Sequence, residues 1–298
     1  MRVFVTGATG FIGTALTREL LDNGHSVLGL TRSEDGAKAL KAAGADVHRG
    51  NIDDLESIRT GAAGADAVVH LAFNHDFSDF AKVCDTDRRV IETIGTTLAG
   101  SNRLMVITSG TAMAAATQGK LATEDGPTLS SKQFPRVASE ETANSFADRG
   151  VRVAIVRLPQ VHDTRRAGLI TYAIQIARQK GEVVYVGEGR NRWAAGHLSD
   201  TARLYRLALE KTKSHAIYHA VGEEGVAAKD IAEAVARGMK LPLRSITADE
   251  AAAQLGFLAH FAAWDMPASS TITQKALGWT PTGVDLLTDL RNMNYAAS

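Results

Sequence analysis

The chain opens on an apolar run and a glycine turn, Val3-Phe4-Val5-Thr6-Gly7-Ala8-Thr9-Gly10-Phe11-Ile12-Gly13. The run is typical of a buried parallel strand, and apolar residues at helical spacing follow as far as Leu21. The three glycines allow a tight bend, a close backbone approach to a pyrophosphate and packing of the helix on the strand. The free N–H groups and the positive dipole end of that helix would hold a diphosphate. A strand before the turn and a helix after it therefore predict a dinucleotide site, formed by Gly7, Thr9, Gly10, Phe11, Ile12 and Gly13.

Composition narrows the classes of partner. The 298 residues are 45% hydrophobic and 22% charged, which is ordinary for a globular protein. Lys plus Arg equals Asp plus Glu at 33 each, so nothing favours nucleic acid or an anionic membrane. The single cysteine, Cys84, excludes an internal disulfide and a multi-thiolate metal site, and the histidine spacing suggests no metal. Without an apolar run of membrane-spanning length, and with Met1 leading straight into the first strand, we predict a cytoplasmic protein without a leader.

Strand and helix patterns alternate over the first half of the chain. This alternation predicts an α/β fold, a Rossmann doubly wound parallel sheet with helices on both faces. The predicted strands are Val3–Val5, Ser26–Leu30, Asp46–His48, Ala67–Leu71, Leu104–Thr108 and Arg152–Arg157. The predicted helices are Phe11–Asn23, Glu34–Ala43, Asp54–Gly61, Phe80–Ala99 and Pro135–Arg149.

Helical patterns dominate after Arg157, with short strand-like pieces at Val183–Val186 and Ala216–Ala220. We therefore predict a dinucleotide-binding domain over residues 1–160 and a smaller, mainly helical substrate region over 161–298. Some segments of that region could return to the sheet, and the rest would cover the carboxyl ends of the strands. The helices predicted there are Leu169–Lys180, Asp200–Lys211, Ala228–Gly238, Ala248–Ala263 and Leu286–Met293.

Five landmarks in order resemble the extended and atypical short-chain dehydrogenase/reductases, which include nucleotide-sugar epimerases and dehydratases. The first is the strand followed by Thr-Gly-x-x-Gly-x-x-Gly, and the resemblance covers almost the whole chain. The others are His70-Leu71-Ala72-Phe73, Arg157-Leu158-Pro159-Gln160-Val161-His162, His197-Leu198-Ser199-Asp200-Thr201-Ala202 and Leu277-Gly278-Trp279-Thr280-Pro281. The resemblance implies that Asn51 and Ile52 flank an adenine, that Leu71, Ala72 and Phe73 line the ribose–nicotinamide path, and that Pro159 to Val161 meet the carboxamide. It also suggests a homodimer formed by the helices after the fourth and fifth strands.

The end of the second strand favours NADP(H) as the cofactor. NAD-selective sites place Asp or Glu there, but this chain reads Thr31-Arg32-Ser33. Arg32 would meet a 2′-phosphate with a planar cation, and the hydroxyls of Ser33 and Thr31 could add hydrogen bonds. The alternative is a solvated loop arginine.

The catalytic tyrosine of the family is missing. The first of the five tyrosines is Tyr172, so the Tyr-x-x-x-Lys pair cannot lie in the nucleotide-binding half. Lys132 and Arg136 occupy the equivalent stretch, and their spacing predicts that they share one face of an opening helical turn. The pair is similar to the His-x-x-x-Arg of one atypical subgroup. Arg136 could stabilise an oxyanion but not donate a proton, and Lys132 could be an acid only with a depressed pKa; the alternative is two solvated charges.

Three more side chains are candidates for the chemistry. Ser109, with Thr111 as the fallback, stands where the family keeps a hydroxyl for the substrate oxygen; alternatively it satisfies strand-end backbone. His75 follows the fourth strand and could donate the proton, with Asp76 or Asp79 raising its pKa, or be an ordinary loop residue. The family's structural Asn has no clear counterpart, since Asp87-Arg88-Arg89 stands there.

The C-terminal half offers weaker signals. His162 is interpreted as packing or pocket lining, His197 and Asp200 as a helix-start cap, and Trp193 with Arg190 and Arg192 as a contact to substrate or to the second region. An apolar cluster is interpreted as core or as an apolar wall for the substrate. Its members are Phe257, Leu258, Phe261, Trp264 and Met266.

These features predict an NADPH-dependent oxidoreductase that reduces a carbonyl, or a related C=N or C=C bond, in a small and largely apolar substrate. A non-catalytic NADP(H)-binding regulator would explain the lost tyrosine directly. An epimerase or dehydratase would need a substitute acid/base and a nucleotide-binding second region, and the sequence shows no clear sign of either.

Overall fold

The computed structural model describes residues 1–76, 79–114 and 119–296. Its centre is a parallel sheet of seven strands: β1 Arg2–Thr6, β2 Ser26–Thr31, β3 Asp46–Arg49, β4 Ala67–His70, β5 Leu104–Gly110, β6 Arg152–Leu158 and β10 Ala216–His219. The strand order is β10-β6-β5-β4-β1-β2-β3, so the order reverses between β1 and β4. In open α/β sheets ligands bind at such a point, outside the carboxyl ends of the strands. The predicted Rossmann-type α/β fold is confirmed.

Helices cover both faces of the sheet. On one face the apolar core joins the sheet to α1 Phe11–Asp22, α2 Glu34–Ala43 and α7 Leu198–Lys211. On the other face the core joins it to α3 Leu55–Ala63, α4 Phe80–Leu98 and α5 Ala138–Asn144. Apolar residues along each buried strand contribute to both cores in turn, because successive side chains point to opposite faces of the sheet.

The remaining elements build a second, smaller body beside the sheet. Three strands pair in the order β11-β9-β7, and two more pair as β12-β8. The strands are β7 Gln160–His162, β8 Val183–Val186, β9 Arg192–His197, β11 Glu223–Ala227 and β12 Leu243–Ile246. The helices are α6 Ile170–Lys180, α8 Ala228–Met239, α9 Ala248–Leu255, α10 Ala259–Ala262 and α12 Leu286–Asn292, whereas α11 Thr271–Leu277 packs against β10 and α7 of the main sheet. In the described part of the chain, no helix combines the length and apolarity needed to cross a membrane.

Several predicted elements differ from those in the structure. The helix predicted over Pro135–Arg149 is short: α5 lies between two 3-10 turns, Pro135–Val137 and Ala147–Arg149. The helix predicted over Ala248–Ala263 is interrupted at Gly256, whose φ of +56° is left-handed. Strand β5 continues two residues further than predicted, so Ser109 lies inside it. The C-terminal strands β7, β9, β11 and β12 and the helix α11 were not predicted.

Candidate active site

The glycine turn between β1 and α1 lets neighbouring segments of backbone approach each other closely. Gly7 has a φ of +69°, and a Cβ there would lie 2.8 Å from the Ala72 nitrogen. A Cβ on Gly13 would lie 1.9 Å from the Gly7 carbonyl oxygen, so only glycine allows α1 to pack on the turn. Gly10 is the N-cap of α1 and no side chain caps it, which leaves the first helical N–H groups for a ligand. These features fit a diphosphate, and they bring the turn against Leu71 and Ala72.

The turn between β2 and α2 carries the predicted selectivity residues. Arg32 is exposed, and among the described residues it has no ion-pair or hydrogen-bond partner, whereas Arg49 beside it is paired with Glu34. Ser33 caps α2 by accepting a hydrogen bond from the Gly36 N–H at 3.0 Å. A Cβ on Gly36 would lie 3.2 Å from the Thr9 methyl, so this turn adjoins the glycine turn. Arg32 is therefore a free cation near the predicted diphosphate.

Asn51 and Ile52 lie between β3 and α3, on the same edge of the sheet. The Asn51 Oδ1 accepts hydrogen bonds from the Asp53 and Asp54 N–H groups at 2.8 and 3.2 Å, which fixes the turn. Ile52 lines a small cleft together with Thr86 and Arg89 of α4. The structure thus leaves space beside Ile52, where the adenine is predicted.

A buried chain of hydrogen bonds links the glycine turn to α4. The Ala72 N–H donates to Thr6 Oγ1 at 3.2 Å, and Thr6 Oγ1 lies 2.6 Å from His70 Nδ1. His70 Nε2 lies 3.1 Å from Asp87 Oδ1. Because the Asp87 carboxylate is an acceptor, we assign the proton of His70 to Nε2, so that Nδ1 accepts from the Thr6 hydroxyl.

Arg136 is held at the other side of Asp87. Its NH1 donates to Asp87 Oδ2 at 2.6 Å and to the Ser139 hydroxyl, and its NH2 donates to the Thr108 carbonyl at 2.8 Å. Burial would raise the pKa of Asp87, but the Arg136 charge and the hydrogen bonds from His70 and Ser139 hold it well below its usual range. The guanidinium centre lies 4.3 Å from the centroid of the Phe73 ring.

Two N–H groups of Arg136 remain available. The contacts to Asp87, Ser139 and Thr108 use three of its five donors, and Nε–H and one NH2 hydrogen have no partner among the described residues. The side chain is 13% exposed, so the cation is neither solvated nor free to move. Asp87 and Ser139 orient Arg136, a role that the sequence prediction missed, and the Ser139 hydroxyl donates to Asp87 Oδ2 at 2.5 Å.

Ser109 presents an unsatisfied hydroxyl. Its residue is 5% exposed, and the hydroxyl oxygen has no hydrogen-bond partner among the described residues. Its neighbour Thr108 bonds the His70 carbonyl and the Tyr205 hydroxyl, at 2.8 and 2.7 Å, and faces the opposite side of the sheet. The fallback residue, Thr111, is satisfied by the Leu158 carbonyl at 3.4 Å. Buried hydroxyls are normally paired, so the unpaired Ser109 hydroxyl marks a candidate position for a hydrogen bond to a ligand.

Lys132 does not share a helical turn with Arg136, and that prediction is wrong. Lys132 is exposed in a separate turn, and Phe134 between the two has extended backbone, with φ −146° and ψ 114°. Pro135 starts a 3-10 turn that directs Arg136 towards Asp87.

His75 lies beside Phe73 in the polar loop that follows β4, with ring centroids 5.5 Å apart. Its pKa is lowered, not raised as predicted from the nearby aspartates. Desolvation is the main cause of the lowered pKa. A hydrogen bond with the Phe73 backbone opposes the shift, and the charges of Arg136 and Arg166 add to it.

The residues after β6 lie where the sheet meets the second body. Pro159 is half-buried, and Val161 is buried in β7. His162 is fully buried and its Nδ1 lies 2.7 Å from Asp289 Oδ2, while His197 caps α7 by accepting from the Ser199 N–H. Asp200 accepts from the Thr282 and Gly283 N–H groups. The roles of His162 and His197 match the packing and capping interpretations, whereas Asp200 does not cap α7 but binds the segment before α12.

Aromatic rings line the approach to Arg136. Phe134 lies 5.5 Å from Phe80, 6.1 Å from Phe261 and 6.0 Å from Trp264, between ring centroids. Phe261 and Trp264 stack on each other, and Trp193 donates its indole N–H to the Trp264 carbonyl at 3.2 Å. Arg192 is bound by Asp265, and Arg190 by Glu188, so neither is a free cation. Two members of the predicted apolar cluster, Leu258 and Met266, are buried.

Comparisons with known proteins show the family and the fold of this chain. A model of the NAD dependent epimerase/dehydratase family matches residues 3–222. The chain is 44% identical over 296 residues to an uncharacterized protein of Schizosaccharomyces pombe, covering 99% of this chain and 100% of that protein. It is 26% identical over 258 residues to a 2-alkyl-3-oxoalkanoate reductase of Stenotrophomonas maltophilia, covering 83% of this chain and 73% of that protein. The structure also resembles a dTDP-glucose 4,6-dehydratase of Streptomyces venezuelae with NAD bound, with a TM-score of 0.80, 18% identity and coverage of 98% and 95%.

The chain therefore belongs to the NAD-dependent epimerase/dehydratase family, as its resemblance to the extended short-chain dehydrogenase/reductases predicted. This is a family of nicotinamide-dinucleotide-dependent enzymes, and the relatives of this chain include oxidoreductases.

Proposed function

We propose that this protein reduces a carbonyl, or a related C=N or C=C bond, in a largely apolar substrate with NADPH. The observation that carries the proposal is the fixed Arg136 guanidinium, with two available N–H groups, on the same face of the sheet as the unsatisfied Ser109 hydroxyl. Preorganised donors of this kind stabilise a developing oxyanion strongly.

The cofactor fits the residues present. The glycine turn would hold the diphosphate, Arg32 the 2′-phosphate, and Leu71 to Phe73 the nicotinamide end. When bound, a reduced nicotinamide dinucleotide supplies a hydride.

The protein's own groups would complete the reaction. The Arg136 N–H groups and the Ser109 hydroxyl would donate hydrogen bonds to the substrate oxygen as it gains negative charge. Arg136 stays protonated, so the proton comes from another group. His75 contacts the Phe73 ring over which Arg136 lies and is the first candidate, with Lys132 or a bound water as the alternatives. The aromatic rings around Phe134 favour an apolar substrate, and the relative from Stenotrophomonas maltophilia is named for an alkyl oxoacid.

The test is to mix the purified protein with NADPH, and separately with NADH, against ketones, aldehydes and imines, following loss of the reduced cofactor. Turnover that prefers NADPH supports both the reductase and the cofactor. Turnover only with NADH would overturn the cofactor assignment. Tight NADPH binding without turnover across the panel would favour the regulator instead.

A further inference from the structure

A second cavity lies inside the smaller body, between α6, β8, α8 and the segment from α9 to α10. Its volume is about 70 Å³. Most of its wall is buried apolar surface, and a cavity of this volume has room for several methylene-sized groups. Its lining includes Ile170, Ala173, Trp193, Ala232, Val235 and Leu258.

The wall is almost entirely apolar, and the polar side chains in its described lining are those of Glu182, Tyr185 and Trp193. Glu182 is its one charged residue in the described lining, and Arg244 holds that carboxylate through two bonds of 3.0 and 2.9 Å. The Trp193 indole N–H is satisfied by the Trp264 carbonyl. A polar ligand would therefore lose its hydration here with little replacement, while the transfer of a hydrocarbon from water into the cavity is favourable.

The cavity adjoins the candidate active site through aromatic side chains. Trp193 is part of the cavity wall and binds the Trp264 backbone, and the Trp264 ring contacts Phe134, two residues before Arg136. Ala262, beside Phe261 in α10, is also part of the wall. The rings of Phe261 and Trp264 thus contact Phe134 on one side and adjoin residues of the cavity wall on the other.

We propose that this cavity binds the hydrocarbon chain of a substrate whose carbonyl is held by Arg136 and Ser109. The proposal rests on the proposed reductase function for the carbonyl end, but the cavity itself is tested separately. The ligand class is a linear alkyl chain with its polar group at one end.

The experiment compares methyl ketones from 2-butanone to 2-decanone, with NADPH, in the wild type and three variants. Ala232→Leu and Ala173→Leu fill the cavity from α8 and from α6, and Ala252→Leu places the same change on the exposed face of α9. In the wild type, kcat/KM should rise about threefold to fourfold for each methylene that enters the cavity. The rise should be lost in both filling variants and kept in Ala252→Leu. Two filling variants are used because one overpacked core position can destabilise the fold.

A binding measurement separates the two proposals. 1-Decanol has no carbonyl to reduce, so its effect on Tm and on tryptophan emission reports the cavity alone. It should raise the Tm of the wild type and of Ala252→Leu, but not that of the filling variants. If no ketone is reduced while this Tm pattern holds, the reductase proposal fails and the hydrocarbon site stands. Ketone reduction without chain-length dependence, or no Tm change with 1-decanol, would overturn the cavity proposal.

Discussion

At the scale of single residues, Ser109 gives the sharpest test because its hydroxyl is buried and unpaired. Ser109→Ala removes an unsatisfied polar group, so the free energy of unfolding should stay the same or rise by up to about 1 kcal/mol. If the hydroxyl bonds the substrate oxygen, kcat should nevertheless fall by about 100-fold. Steady-state kinetics and thermal unfolding measure the two quantities.

Thr111→Val is the matched control, since the Thr111 hydroxyl bonds only the Leu158 carbonyl among the described residues. It should lower stability slightly and leave kcat within about twofold. Equal activity of Ser109→Ala and wild type would remove Ser109 from the chemistry.

His75 predicts a pH dependence. Desolvation lowers the pKa of His75 from the ordinary value of about 6.5, so the imidazolium becomes the main form only at a pH below that value. If His75 donates the proton, kcat/KM should rise as the pH falls from 8 through 6, and His75→Gln should abolish the rise. The measurement is a pH profile of both proteins with one ketone.

The control for this profile is His215→Gln, at an exposed position just before β10 and hence at the amino edge of the sheet. This variant should keep the wild-type profile. A rise that persists in His75→Gln would assign the proton to a bound water or to Lys132.

At the scale of elements, the turn from β2 to α2 predicts cofactor preference. Ser33 fixes the first turn of α2 and leaves Arg32 unpaired among the described residues, next to the glycine turn. Arg32→Gln should raise the Kd for NADPH by about 10-fold to 100-fold, the weight of a charge-assisted hydrogen bond, and leave that for NADH unchanged. Arg18→Gln, on exposed α1 surface where Arg18 pairs with Asp22, should change neither. A titration of each cofactor measures the constants, and an equal loss for both cofactors would contradict the assignment.

The elements also show how far the sequence could predict the structure. The first six strands and α1 to α4 were recognisable because long apolar patterns alternate with glycine and capping residues, and these local signals agree with the fold. β7, β9, β11 and β12 are three to six residues long and were missed, since pairing with distant strands rather than their own pattern holds them.

Part of the candidate site could likewise be predicted from the sequence, and part could not. Arg136 was found from its spacing, but Phe134 and Pro135 place it on a 3-10 turn, so the reason given for the pair with Lys132 was wrong. Asp87 lies in a long helix rich in charges, where an acidic residue is ordinarily solvated. Its burial against His70 and Arg136 depends on helices packing on the sheet, which no local pattern encodes.

At the scale of the whole molecule, a buried ion pair joins the sheet to the site and to the second body. Arg157 of β6 is fully buried and binds Glu140 of α5 through two bonds of 2.9 and 2.7 Å. Its NH1 also lies 3.5 Å from His219 Nε2, and His219 Nδ1 lies 2.8 Å from the Ser269 carbonyl. Glu140 follows Ser139, so the same short helix positions Arg136.

Glu140→Gln keeps the shape of the side chain but leaves the Arg157 charge buried without a counter-charge. We expect the free energy of unfolding to fall by about 3–5 kcal/mol, because burying a charge without a counter-charge costs far more free energy than an exposed ion pair contributes. Glu92→Gln breaks the exposed pair with Arg88 on α4 and should cost no more than about 1 kcal/mol. Urea unfolding followed by circular dichroism measures both, and ketone reduction by Glu140→Gln should also fall as α5 loosens around Ser139. Equal stability of the two variants would mean that Thr128 and His219 suffice to hold Arg157, and that the ion pair does not couple the sheet to the site.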